Sequence, residues 1–132
     1  MHKALVEGLG TFFLVLVIGL AVIAPGAGAM APLAIGATLM VLVYAGGPIS
    51  GGHYNPAVTL AATLAGKCDK HDTLSYMIAQ VIGAVLASVF VGFLKPASLA
   101  TPMQPQAVPA LLAELAFTFL LAYVVLNVAT TK

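Results

Sequence analysis

The chain is predicted to fold as an all-α membrane protein, a helical bundle of four transmembrane helices plus one re-entrant half-helix, on three observations. Its 132 residues are 61% hydrophobic and 7% charged, with a mean hydropathy of +1.10. That composition excludes an ordinary soluble domain. Four apolar stretches read as spans of a hydrocarbon core about 30 Å thick. Between the second and third, Asn55-Pro56 opens an apolar run that stops near Ala65, only about half of a span. Irregular backbone at membrane depth is tolerated only where it lines a cavity or is buried in protein. A half-helix pointing into the bilayer therefore implies a pore.

The first span is expected from about Ala4 to Ala24, with Glu7 near its start, and the Pro25-Gly26-Ala27-Gly28 turn ends it. No convincing small-residue cleavage site follows the Met1-His2-Lys3 start, so a retained span is expected rather than a cleaved signal. The second span runs from Leu33 to about Gly46, with Gly46-Gly47-Pro48 as its terminator. Next, Ser50-Gly51-Gly52-His53-Tyr54 leads into Asn55-Pro56. Asparagine is a strong N-cap and proline is favoured at the first helical position, so a helix begins there. The polar stretch Gly66–Asp72 contains Cys68, read as an exposed loop thiol, and Asp72 or Thr73 caps a third span, Leu74 to Leu94. In that span Ala79, Gly83 and Ala87 recur every four residues, a spacing at which small side chains let backbones approach closely. Gln80, on the adjoining face, is suited to a hydrogen bond across an interface. Ala97 to Pro109 contains three prolines and reads as an extended connection. A fourth span follows from Ala110 to about Ala129.

Charge placement supports a half-helix that re-enters without crossing. With the N-terminus cytoplasmic, Lys3, Lys67, Lys70 and Lys132 then lie inside and only Lys95 outside, as the positive-inside rule asks. The net charge of +1 leaves no electrostatic footprint for nucleic acid.

Glu7, three residues, then Thr11-Phe12 recurs as Glu114, three residues, then Thr118-Phe119. A glutamate inside a span is expensive, and two in one local pattern suggest a repeat. Three crossings separate them, so the second copy enters from the opposite face: an inverted-topology repeat whose broken helices meet near the midplane. Residues 1–109 read as the first repeat and residues 110–132 as the first span of a second. A matching Asn-Pro half-helix is expected about thirty residues past Lys132, so the chain reads as a fragment.

Ser50-Gly51-Gly52-His53-Tyr54-Asn55-Pro56-Ala57-Val58-Thr59 resembles the first NPA box of the aquaporin, or major intrinsic protein, family. Glu7 with Thr11, Ala79-Gln80 with Gly83, and Glu114 with Thr118 fall where that family carries them. The resemblance covers essentially the whole chain. It implies an aquaporin-like bundle of inverted repeats, a passive channel for water and small neutral solutes including glycerol, and a homotetramer in the full-length form. It also implies a multi-pass protein of the plasma (inner) membrane, with lipid and permeating solute as its partners. The family's second box, and the arginine after it, would lie beyond Lys132, and this sequence contains no arginine.

Asn55 can accept a half-helix N–H through its side-chain oxygen, which leaves its NH₂ as a donor toward the lumen. The half-helix dipole, positive at this end, adds cation exclusion. By analogy with the family, the carbonyls of Gly51, Gly52 and His53 line the pore as acceptors, beside Pro56 and Ala57 at the half-helix start. Glu7 and Glu114 are read as braces that accept N–H groups of re-entrant loops, which have no helical partners. The His53 side chain is expected to pack against the loop. Ile35, twenty residues before Asn55, occupies the position where orthodox water channels carry an aromatic; an aliphatic there implies a wider, less polar constriction. No cofactor or metal is expected. Two other classes compete with the channel: an intramembrane enzyme using His53 and Glu7, which lacks a metal set or a nucleophile with a paired base, and a structural membrane protein in which Asn55-Pro56 kinks a helix.

Overall fold

The computed structural model describes residues 2–95 and 104–129. Five helices appear in order: α1 (His2–Val22), α2 (Ala31–Ser50) after a short 3-10 turn at Gly28–Met30, α3 (Pro56–Leu64), α4 (Lys70–Leu94) and α5 (Ala107–Val124), which runs on into a π turn at Val125–Ala129. The four segments His2–Val22, Gly28–Ser50, Lys70–Leu94 and Ala107–Val128 are long and apolar enough to cross a membrane. With nine residues, α3 is about 14 Å long and cannot.

Side-chain pairs at both ends show that α1 and α4 run parallel. At their N-terminal ends Lys3 Nζ meets Asp72 Oδ2 at 3.0 Å. At their C-terminal ends Lys95 Nζ donates to the carbonyls of Leu20 (2.7 Å), Ile23 and Pro25 (2.8 Å), satisfying acceptors that a helix terminus leaves unpaired. Only α2 crosses back between them, so the segment from Gly51 to Asp69 must leave and return on one side. The contacts along α3 agree. Thr63 Oγ1 lies 2.8 Å from Thr73 Oγ1, near the start of α4. Thr59 Oγ1 accepts from Gln80 Nε2 at 2.9 Å, ten residues into α4, or about 15 Å along its axis. The N-terminus of α3 is therefore its deep end, near the middle of a core about 30 Å thick.

Close packing of α1 on α4 depends on small residues. A Cβ on Gly83 would overlap the Gly8 carbonyl, and one on Gly19 would stand 2.6 Å from Val91 Cγ2. Gly83 and Ala87 are buried here, a packing role for that face. Gln80 is also buried, but its partners lie within this subunit.

Three boundaries differ from the sequence expectation by more than two residues. Gly46-Gly47-Pro48 does not end α2, which continues to Ser50. Proline removes its own backbone donor and its ring crowds the carbonyl four residues back, yet the ladder resumes with Gly51 N–H on the Gly47 carbonyl at 2.9 Å. The helix stops at Gly51, whose φ of 98° is the left-handed C-cap geometry glycine favours. Helix α4 starts at Lys70 because Asp69, not Asp72 or Thr73, is the cap, accepting from His71 N–H at 2.9 Å. Asp72 is engaged by Lys3 instead. Helix α5 begins at Ala107, before the expected Ala110, and places Pro109 in its first turn, where a missing N–H costs nothing. Most of the extended connection expected over 97–109, and the polar end at 130–132 with Lys132, lie outside the described residues. Cys68 is half-buried rather than fully exposed.

Candidate functional site: the re-entrant loop and its anchors

The five residues between α2 and α3 have a backbone few sequences adopt. Gly51 (φ 98°), Gly52 (63°) and Tyr54 (48°) all lie in the left-handed region. For a non-glycine residue such as Tyr54 that conformation costs about 1–2 kcal/mol, so surrounding contacts must hold it. Asn55 then returns to extended geometry and caps α3.

Glu7 is the main anchor. Its side chain is fully buried, and four donors converge on it. Oε1 accepts from Ser50 Oγ at 2.6 Å and His53 N–H at 3.0 Å. Oε2 accepts from Tyr54 N–H at 2.6 Å and Gln80 Nε2 at 2.8 Å. A carboxylate has about four lone-pair sites, and here every one is used. Two of the donors are loop N–H groups with no helical partner, which would be costly to bury unpaired. Thr11 does not join this set; its hydroxyl donates to the Glu7 carbonyl at 2.8 Å within α1.

Further hydrogen bonds tie the loop to α3 and α4. Gln80 Nε2 bridges Glu7 and Thr59 Oγ1. The Thr59 hydroxyl donates to the Asn55 carbonyl at 3.1 Å and lies 3.2 Å from His53 Nδ1. The His53 ring is buried and packs edge-on against Tyr76 at 5.7 Å. Tyr76 in turn donates from its hydroxyl to the Ser50 carbonyl at 3.0 Å.

Asn55 Oδ1 accepts from Ala57 N–H at 2.8 Å, with a longer contact to Val58 N–H at 3.4 Å. Asn55 is half-buried, and its NH₂ donates to no group among the described residues. Gly51 is half-buried and Gly52 buried. The carbonyls of Gly51, Gly52 and His53 accept no hydrogen bond among the described residues. Donor and acceptor capacity is thus left over on the loop beside the deep end of α3.

Tyr54 is the second anchor, and nothing in the linear pattern marked it. Its ring is buried between Gly10 of α1 and Gly46 of α2, and a Cβ on either glycine would overlap it. Its hydroxyl donates to the Leu42 carbonyl at 2.8 Å. Ser50, Gln80 and Thr59 also entered the network only through the fold; polar residues at single positions within apolar runs are the signal that could have found them.

Three residues singled out in the sequence, Glu114, Thr118 and Ile35, stand apart from this loop. Glu114 and Thr118 line a cavity of about 430 Å³ between α3 and α5, with Ala57, Ala61, Leu111 and Phe119. Glu114 is exposed there, and among the described residues no loop donor reaches it. Ile35 is half-buried one turn into α2, about 22 Å along the axis from Ser50, so it belongs to the opposite end of the bundle from Glu7. Among the described residues, no group of three or more His, Cys, Asp or Glu could hold a metal ion.

A family model described as "Major intrinsic protein" matches residues 1–132. Among curated relatives, the chain is similar to "Glycerol uptake facilitator protein-like 6" of Lactiplantibacillus plantarum, at 42% identity over 98% of this chain and 64% of that protein. It is similar to "Aquaporin Z" of Brucella melitensis, at 42% identity over 67% of this chain and 42% of the relative. "Aquaporin NIP1-1" of Zea mays is 41% identical over 72% of this chain and 35% of the relative. The chain thus spans between about a third and two thirds of the length of these proteins.

Proposed function

Since the chain belongs to the major intrinsic protein family, we propose that it forms one wall of a passive transmembrane channel for water and small neutral solutes. The observation that carries this reading is the loop held at mid-depth by Glu7. On it the capped Asn55 keeps an unengaged NH₂, and the Gly51, Gly52 and His53 carbonyls keep unengaged acceptors. A neutral molecule that both donates and accepts hydrogen bonds can exchange its water partners for these. A cation meets the positive end of α3 and a donor pair. No covalent step is assigned: all four acceptor positions of Glu7 are occupied by donors, so it has no position from which to act as a base.

Glycerol permeation is part of the proposal. The aliphatic Ile35 favours a constriction with less polar competition for water, and the relative covering 98% of this chain is named a glycerol uptake facilitator. The product of the chain's own gene, reconstituted in proteoliposomes, is expected to accelerate both osmotic shrinkage and glycerol entry over empty vesicles. Water flux equal to empty vesicles would refute the channel; water flux without glycerol flux would refute only the solute assignment.

Organisation and orientation follow the same reading. Residues 1–109 serve as a first repeat and residues 110–132 as the opening span of an inverted second, so Glu114 braces a loop that the second repeat supplies. The outer face of α2, with Leu33, Met40, Val41 and Tyr44 exposed, is assigned to contact with further copies in a homotetramer. Native mass measurement in detergent would show a monomer if that is wrong. Lys3, Lys67 and Lys70 are assigned to the cytoplasmic side of the inner membrane. Cys68, the single cysteine of this sequence, should then react with a membrane-impermeant thiol reagent in inside-out vesicles and stay unlabelled in right-side-out ones. The reverse pattern would invert the topology.

A further inference from the structure

We propose that Tyr54 is a positioning residue for the channel: its ring, seated in the slot that Gly10 and Gly46 leave between α1 and α2, determines where Asn55 presents its donors. The proposal rests on the channel reading above. Glu7 fixes the Tyr54 N–H at 2.6 Å, but a hydrogen bond to one backbone atom leaves rotation about the residue's own dihedrals open. Asn55 is the next residue and is bonded to the first turn of α3, so any such rotation shifts Asn55 and the start of α3 together relative to the lumen. The Tyr54 ring removes that freedom. It is 3% exposed, enclosed by two glycines that have no room for a Cβ, and held at its far end by the Leu42 carbonyl at 2.8 Å. These contacts hold a left-handed φ of 48° in a residue that does not favour it.

The two glycines come from different helices, so the slot also couples the loop to the α1–α2 spacing. Beside it a crevice of about 230 Å³ lies between the helices, lined by Leu9, Phe13, Leu42 and Ile49 as well as Tyr54 itself. Gly46 must remain helical for the slot to exist, and α2 does continue through it to Ser50.

The experiment compares wild type, Tyr54→Phe, Gly46→Ala and the double variant, each made from the chain's own gene and reconstituted in proteoliposomes. Water and glycerol permeability are measured per folded channel, and their ratio is the decisive readout, because a merely structural lesion lowers channel number without changing the ratio. A methyl group at Gly46 overlaps the Tyr54 hydroxyl, while the ring carbon behind it is 3.1 Å away and Val6 Cγ1 2.8 Å. Gly46→Ala should therefore push the ring outward and change the glycerol-to-water ratio by about fivefold or more, the scale of an overpacked contact. Tyr54→Phe removes the nearest clash, so the two substitutions should couple, and the double variant's ratio should lie closer to that of Tyr54→Phe alone than to that of Gly46→Ala. A Gly46→Ala ratio equal to wild type, or a double variant no better than Gly46→Ala, would overturn the proposal. Should Gly46→Ala not fold, Tyr54→Leu takes its place, since leucine cannot reach Leu42. A changed ratio with folded content preserved supports the proposal, and an unchanged ratio overturns it. Wild-type vesicles no faster than empty ones would overturn the channel reading, and this proposal with it.

Discussion

Glu7→Gln is expected to abolish water flux and to lower the thermal midpoint of the solubilised protein by many degrees. The two side chains have nearly the same shape, so the effect isolates hydrogen-bond polarity. In the native protein both carboxylate oxygens are acceptors, two donors each. An amide offers one oxygen and one NH₂, and in either orientation the NH₂ faces two donors. If it replaces Oε1 it opposes Ser50 Oγ and His53 N–H; if it replaces Oε2 it opposes Tyr54 N–H and Gln80 Nε2. Each buried donor left unpaired costs about 1–3 kcal/mol, so the variant loses about 2–6 kcal/mol from a total that for most proteins is about 5–15 kcal/mol. The Ser50 hydroxyl can turn away and the Gln80 amide can flip, which moderates the loss; the backbone N–H groups of His53 and Tyr54 cannot. Glu7→Asp should be intermediate, since it keeps the acceptors but withdraws them by one methylene. A Glu7→Gln protein with wild-type midpoint and flux would show that the loop is held by something other than this carboxylate.

What could be read from the sequence divides along the line between local and non-local physics. The spans follow from apolar length, and the described residues contain four membrane-length helices. The half-helix follows from Asn55-Pro56, because capping involves neighbours two or three residues away. Elsewhere local rules were overridden. Pro48 reads as a terminator, yet its lost hydrogen bond and ring crowding near the end of α2 are outweighed by packing that needs Gly46 helical. Asp69 rather than Asp72 caps α4 because Asp72 has a partner 69 residues away in Lys3. The Tyr54 slot was illegible for the same reason. Its walls lie 44 and 8 residues from the ring on two different helices, and no periodicity links a tyrosine to two glycines it happens to fill. Gln80 looked like an interface residue because its partners, Glu7 and Thr59, are 73 and 21 residues distant.

Asn55→Asp is expected to leave the fold nearly unchanged while altering what the channel excludes. Aspartate is as good an N-cap as asparagine, and the oxygen that accepts from Ala57 N–H at 2.8 Å is retained. Stability should therefore shift by less than about 1 kcal/mol, within the range of cap-to-cap exchanges. The other terminal atom changes from a donor pair to an anionic oxygen. Water can still bind there by turning a hydrogen toward it, so water flux should persist, although the single orientation imposed by a donor is lost. A cation now meets a carboxylate instead of an NH₂. The positive end of α3 carries about half an elementary charge, which one full negative charge at the same place more than cancels. Sodium or proton leak through reconstituted vesicles should rise above the wild-type level, and should fall again in an Asn55→Ser variant, which keeps a cap oxygen without the charge. Unchanged cation exclusion in Asn55→Asp would place the barrier elsewhere along the pore and remove Asn55 from its centre.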